Sequence, residues 1–241
     1  MTSQATVDAA YAVYVESPLL RQVHGPEHLN VGWRAGGEAD PSAALVDRLL
    51  NLVPGNPSVV LDVACGRAAA SRQMALRWPQ ATVLGVDRSA VMLPPAPAAR
   101  PGVARAEATA LPIADGAADL VLCVEAALHF TTRRDFFAEA ARVLRPGGLL
   151  ILTDLLVDPA GPGWAPLVPA GNRETTRRQY ADALRSAGLI AQRITDITAQ
   201  TWTPYTDALV AAAGDEAASA AVRRILSDRP VAAYVEVVAQ R

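Results

Sequence analysis

Val59-Val60-Leu61-Asp62-Val63-Ala64-Cys65-Gly66 is the stretch that decides the reading of this chain. Val59 to Val63 is apolar apart from Asp62, the pattern of a central parallel strand covered on both faces. The run stops at a turn of small residues, Ala64-Cys65-Gly66, and passes into Arg67–Ala75, which is rich in helix formers. Strand, glycine turn and helix form the opening half of a nucleotide-binding βαβ unit. Gly66 has no Cβ, so its backbone can come close to a ligand. Taken alone, the octet fits an ordinary strand-to-helix turn equally well.

The same alternation continues outward. Upstream, residues 5–22 place Tyr11, Val15 and Leu19 on one helical face, and Pro18 is expected to break or restart that helix. A loop over 25–33 with aromatic and imidazole groups precedes a helix from Pro41 to Leu52, which Pro54-Gly55-Asn56-Pro57 ends. Downstream, Thr82–Val86 is a second strand closed by Asp87. Pro94, Pro95, Pro97 and Pro101 leave room for only about a turn of helix around Ser89–Leu93. Val103–Glu107, Asp119–Val124, Leu149–Leu156, Leu189–Ile197 and Val231–Val238 read as strands; Arg133–Leu144, Glu174–Ala187 and Asp215–Ser227 read as helices. Arg145-Pro146-Gly147-Gly148 and Gly188 read as helix stops. The expected fold is α/β, a doubly wound and mostly parallel sheet of seven strands with helices on both faces.

Composition bounds the class. The chain has 241 residues, 51% hydrophobic and 19% charged, which suits one large globular domain or a domain with an appended lid. A formal net charge of −2 gives no basic field for nucleic acid. The sequence contains no lysine, which with the heavy use of alanine reads as compositional bias and not as a binding feature. Cys65 and Cys123 fall in or beside expected strands with no zinc or disulfide pattern, so no metal site is expected and a reducing cytoplasm is the expected location. Met1–Ala10 has no basic or long apolar signal region, and no run reaches the ~18 apolar residues of a membrane span. Homo-oligomerisation is compatible with the sequence but not indicated by it.

A glycine turn followed by an acid about 20 residues later suits two cofactor classes. A dinucleotide fold calls for three glycines, G-x-G-x-x-G, where pyrophosphate lies against the backbone. Here Gly66 stands among Ala64, Ala68 and Ala69. A ligand with a nucleoside but no phosphate does not need the second close approach, and S-adenosylmethionine is such a ligand.

Several segments in order resemble the class I S-adenosylmethionine-dependent methyltransferases. Val60–Gly66 resembles their first motif, a strand with an acid and a glycine turn, and Leu84-Gly85-Val86-Asp87 their second. Ala106-Glu107-Ala108-Thr109-Ala110-Leu111-Pro112-Ile113 is similar to their G-D-A-x-x-L-P-F segment. Asp115 to Phe130 resembles the fourth strand with its active-site end, and Ala141–Gly148 is the most recognisable piece. The likeness covers residues 58–156 well and the two ends more loosely. It implies a Rossmann-like core over 55–241, an N-terminal helical lid over 1–54, and acceptor-pocket insertions near 157–175 and 198–228. The chain departs from the family at Ala64 and Ala68, where glycine is usual, and at Glu107, usually aspartate. Alanine is expected to take an ordinary negative φ there and to reshape the turn slightly.

The resemblance, with the ligand's chemistry, implies these roles. Asp87 accepts both ribose hydroxyls, its alternative role being a helix cap. Glu107 accepts from the adenine amino group while the Ala108 N–H donates to the ring. Asp62 orients the methionine ammonium or its water, or braces the loop. Ala64, Cys65 and Gly66 form the turn, Arg88 and Val124 flank it, and Met92 packs the adenine with Val86. On the lid, Tyr14 and Trp33 offer aromatic faces to the sulfonium, or staple the helix. His129 is the candidate general base, or packs the acceptor, with Asp154 bracing it or touching the acceptor. The implied cofactor is S-adenosyl-L-methionine, leaving as S-adenosyl-L-homocysteine, and the implied partner is a small, largely apolar, natural-product-like acceptor, with O-methylation the expected reaction. Two other readings stay open: the same fold catalysing a cyclisation, and an NAD(P)-dependent reductase, which the single glycine disfavours.

Overall fold

The computed structural model describes residues 17–25, 27–93, 101–161, 163–164 and 167–241. Seven strands form one sheet in the order β3-β2-β1-β4-β5-β7-β6. They are β1 (Val59–Val63), β2 (Thr82–Asp87), β3 (Gly102–Arg105), β4 (Ala118–Val124), β5 (Leu144–Leu156), β6 (Ile190–Asp196) and β7 (Ala233–Gln240). The first five are parallel; β7 runs antiparallel between β5 and β6. The expected doubly wound, mostly parallel sheet is therefore present.

Strand periodicity explains the layers. Val60, Leu120, Leu122 and Ile151 point to one face and pack with Val46, Leu49, Leu50, Ala70 and Met74, which come from α2 (Pro41–Leu50) and α3 (Ala69–Arg77). Leu61, Val63, Val121, Cys123, Leu150 and Leu152 point to the other and pack with Phe136, Phe137, Ala140, Tyr180 and Leu184, from α4 (Arg133–Val143) and α5 (Arg177–Ser186). Each such large side chain contributes roughly 1.5–3 kcal/mol by leaving water. Caps fix the helix starts: Asp40 accepts the Ala43 N–H, Thr132 the Asp135 N–H, and Thr176 with Gln179 makes a capping box.

The differences from expectation have local causes. Helix α1 (Pro18–His24) begins at Pro18, in line with a restart there, because Ser17 caps it and proline suits the first turn. The earlier part of the expected first helix, with Tyr11, Tyr14 and Val15, lies outside the described residues, as do Pro94, Pro95 and Pro97. Arg145-Pro146-Gly147-Gly148 follows the end of α4, as a stop signal should, and is also part of a strand. α4 ends at Val143, and these four residues run inside β5, with Gly147 at φ 80°. A helix absent from the sequence reading, α6 (Trp202–Ala212), follows β6 and precedes α7 (Glu216–Ser227). Pro204 sits in its first turn, where its missing N–H costs no hydrogen bond.

Behind the sheet's carboxyl end lies a buried ionic group. Arg133 Nε donates to Asp154 Oδ2 at 2.7 Å, and Tyr180 Oη donates to the same oxygen at 3.0 Å. Arg133 Nη2 donates to the Leu155 carbonyl at 2.8 Å. Both members of the pair are fully enclosed, so Asp154 braces α4 and not His129. Asp154→Ala strands a guanidinium in the core, and urea unfolding is expected to lose about 3–5 kcal/mol of stability.

Candidate active site

The chain crosses to one face of the sheet after β1 and to the other after β4, although these strands are neighbours. A crevice at the carboxyl ends of such a pair is where open α/β sheets bind ligands. The register pairs Asp62 with Leu122, which brings the Ala64-Cys65-Gly66 turn beside Val124 and Glu125.

Three residues hold that turn. Asp87, ending β2, accepts the Gly66 N–H on Oδ2 and the Ser89 N–H on Oδ1, both at 2.9 Å. The Cys65 N–H donates to the Val86 carbonyl at 3.0 Å. Asp62 Oδ2 accepts the Ser71 hydroxyl at 2.5 Å, so its carboxyl ties β1 to α3 in the bracing manner. Burial pushes the Asp62 carboxyl up to about 6 and also raises Asp87, the latter against the Ser89 and Gly66 N–H groups. Beneath the turn, a Cβ on Gly85 would stand 2.8 Å from Cys65 Sγ and 2.9 Å from Ser71 Oγ, so only glycine lets β2 pass there.

The expectation of an ordinary backbone at the alanines is overturned. Ala64 has φ 60° and Ala68 φ 59°, alongside Gly66 at φ 52°. The left-handed turn is kept and the two methyl groups carry its strain, because the neighbouring hydrogen bonds fix the chain path.

Beyond the turn, a shallow open cleft is lined by Ala64, Val86, Arg88, Glu107, Ala108 and Phe130, among others. Glu107 is half exposed, with Arg88 Nε 3.7 Å from its Oε1. Met92 is buried, and its Cε lies 3.6 Å from where a Cβ on Gly66 would stand; Leu29 Cδ1 lies at the same distance. Gly66 thus leaves a gap between Met92 and the amino-terminal segment. Val124 is partly buried at the end of β4.

Other expected residues sit elsewhere. Trp33 carries the Arg48 guanidinium 4.1 Å from its ring centre, so a cation of the chain itself already occupies one aromatic face. Tyr14 lies outside the described residues. His129 closes a 3-10 turn over Ala127–His129. Its Nδ1 is 2.9 Å from the Leu167 carbonyl, which fixes that nitrogen as the N–H donor, and burial lowers its pKa against that bond. The imidazole is then neutral, with its lone pair on Nε2.

Glu125 has a site role that the sequence reading did not give it. It is in the left-handed region at φ 54°. Its Oε1 accepts the Val31 N–H at 2.8 Å and a short hydrogen bond from the Tyr234 hydroxyl. Burial pushes its carboxyl up to about 7. An acid set directly after the apolar run Leu120–Val124 was the available signal; Tyr234, from the last strand, offered none. The amino-terminal segment is docked elsewhere too: His24 stacks on Tyr205 with ring centres 5.2 Å apart, and the Arg34 N–H donates to the Gln200 carbonyl at 2.8 Å. Burial and Arg34 hold His24 down to about 4, so it is neutral. Among the described residues no cluster could hold a metal ion, and no helix is long and apolar enough to cross a membrane.

Residues 61–152 match the family model of a methyltransferase domain. The matched residues run from β1 into β5, the part of the seven-stranded sheet whose sequence resembles the class I S-adenosylmethionine-dependent methyltransferases. Among its curated relatives, malonyl-(acyl-carrier protein) O-methyltransferase of Hahella chejuensis is 34% identical over 148 residues, 56% of this chain and 52% of that protein. Erythromycin 3''-O-methyltransferase of Saccharopolyspora erythraea is 30% identical over 132 residues, 49% of this chain and 43% of that one. The chain thus spans about half the length of the curated relatives it matches. Among solved structures, geranyl diphosphate methyltransferase with its diphosphate and sinefungin superposes with a TM-score of 0.74 at 21% identity, covering 99% of this chain and 100% of the other. The 4+2 cyclase SpnF gives 0.71 at 22% identity, covering 100% and 96%; both share the fold.

The strained alanines give a stability test. Ala68→Gly removes the left-handed penalty, offset in part by a freer unfolded chain, and is expected to raise unfolding free energy by about 0.5–1 kcal/mol. Denaturant titration with an unchanged slope is the measurement.

Proposed function

We propose that this chain transfers the methyl group of S-adenosylmethionine to a small, largely apolar acceptor, most simply as an O-methyltransferase. The observation that carries the reading is the Asp87–Gly66 contact. It sets a two-oxygen carboxyl beside a glycine turn where the backbone can approach a ligand. Asp87 Oδ2 takes the Gly66 N–H and Oδ1 the Ser89 N–H, and the Arg88 N–H also bonds the carboxyl; of its about four acceptor sites at least one is left for a hydroxyl of a vicinal diol. The donor set therefore fits a ribose.

When bound, the cofactor supplies an electrophilic methyl on a sulfonium. The chain's residues do the rest. Asp87 holds the ribose, and Glu107 and the Ala108 N–H face the adenine in the open cleft, with Arg88 at its wall and Met92 beside Gly66. Ala64, Cys65 and Gly66 carry the amino-acid end past β1, near Asp62, and Val124 bounds the crevice. The segment ahead of α2 acts as the lid: Leu29 lies over Gly66 and Val31 is tied to Glu125. Trp33, and Tyr14 beyond the described residues, belong to that lid. Holding acceptor and methyl in line supplies most of the rate. His129, neutral and held at Nδ1 by the Leu167 carbonyl, packs the acceptor.

The acceptor side is apolar because Val31, Leu128, Trp164, Val168 and Tyr205 cluster with the lid over β5 and β7. This supports a small hydrophobic acceptor of natural-product type, and the O-methyltransferases among the relatives favour oxygen as the nucleophile. The test is calorimetric titration with S-adenosylhomocysteine. Asp87→Asn should weaken that binding by roughly 1.5–3 kcal/mol. An unchanged dissociation constant removes the ribose role, and no binding by the wild type removes the reading.

A further inference from the structure

Glu125 resembles no packing residue of this sheet. A glutamate in the left-handed region costs about 1–2 kcal/mol over an ordinary backbone, and such strain collects at functional sites. Its two carboxyl oxygens are treated differently. Oε1 takes both donors, the Val31 N–H from the lid and the Tyr234 hydroxyl from β7. Oε2 has no hydrogen-bond partner among the described residues, yet it is not one of the enclosed polar atoms. The carboxyl is held at one oxygen and open at the other, at the carboxyl end of β4 beside the cofactor turn.

We propose that Glu125 is the residue that takes the acceptor's proton: Oε1 fixes the group through Val31 and Tyr234, and Oε2 receives the proton as the methyl arrives. This rests on the methyl-transfer reading above and assigns its proton. An oxygen lone pair of the acceptor forms the new O–C bond while the S–C bond breaks with its pair going to sulfur. The O–H pair stays on oxygen and the proton goes to Oε2, leaving a neutral acid, a neutral ether or ester and a neutral thioether. His129 packs the acceptor from the Leu167 side and takes no part in the proton's transfer.

Burial raises the Glu125 carboxyl to about 7, with the Tyr234 hydroxyl and Val31 N–H opposing and Asp154 on β5 reinforcing the rise. A base works best with a pKa near the working pH. Tyr234 is itself driven well above its ordinary value by burial and by Glu125, so it stays a donor and does not compete for the proton. Of the other groups on this side, Asp154 is spent on Arg133 and Tyr180, and Glu236 on Arg48 and Arg193.

Glu125→Gln keeps an oxygen for Val31 and Tyr234 and replaces the free oxygen with NH2, so the anchor survives while the base is lost. Two readouts test it. Infrared difference spectra of protein carrying 13C-labelled glutamate, with S-adenosylhomocysteine bound, should show one carboxyl titrating at about 7 that disappears in the variant. A panel of phenols, primary alcohols and carboxylic acids, followed by S-adenosylhomocysteine release, should show kcat lowered about 10²–10⁴-fold in the variant, with cofactor affinity unchanged. A Glu125 carboxyl titrating in the ordinary range of about 4.3, or a variant rate within about tenfold of wild type, overturns the assignment. If the wild type methylates no member of the panel, the infrared titration decides. Wild type that binds no S-adenosylhomocysteine overturns the methyl-transfer reading as well; wild type and variant that both bind and transfer overturn only the role of Glu125.

Discussion

The hydrogen bond from the Gly66 N–H to Asp87 ties the ends of β1 and β2 together, and the site depends on it. Without that acceptor the turn would have no reason to stay in the left-handed region, since two of its bends are made by alanine. Ser71, Cys65 and Gly85 fill the space beneath, so the turn cannot settle inward. The strain is thus stored where a ligand is to be held, and the surrounding packing maintains it. A ribose placed on Asp87 would share oxygens that the fold already uses, so cofactor binding and turn geometry are one equilibrium.

The parts legible in the sequence were those set by short-range physics. Parallel strands buried on both faces read as apolar runs, and β1, β2, β4 and the carboxyl half of β5 were found that way. The place of Asp87, ending β2 beside the glycine turn, was legible from its spacing of about 20 residues. The conformation of Ala64 and Ala68 was not legible: a residue's preference for negative φ is a local statement, and hydrogen bonds from β2 overrule it. Trp33 was misleading for a similar reason. An aromatic ring on a lid suggests a cation, but the cation beside this one is Arg48, held in turn by Glu236 from β7. α6 was missed because aromatic and β-branched residues around Pro204 look like loop until Thr201 starts a helix.

Glu125 shows why a site can be half visible. Its place after β4 is a fact of sequence, but its meaning comes from three segments far apart in the chain. Val31 lies 94 residues before it and Tyr234 109 residues after. No spacing rule connects those positions; only the sheet order, which sets β7 against β5 and β5 against β4, brings Tyr234 within reach. The same geometry joins the lid to the chemistry, since the Val31 N–H that anchors the carboxyl belongs to the amino-terminal segment.

That link constrains how the site can work. If the lid lifts, Oε1 loses one of its two donors, and a buried carboxylate with fewer donors becomes more basic. Lifting the lid also lets water reach the group, and because burial is the largest cause of its raised pKa, opening favours the ionised form. Closure over an acceptor excludes water and raises the carboxyl's affinity for protons as the hydroxyl to be deprotonated comes to Oε2. The proton can then leave Glu125 only after the lid opens again, where solvent reaches the carboxyl. Proton release and product release would share one gate, and the same backbone N–H that positions the base would time its recovery.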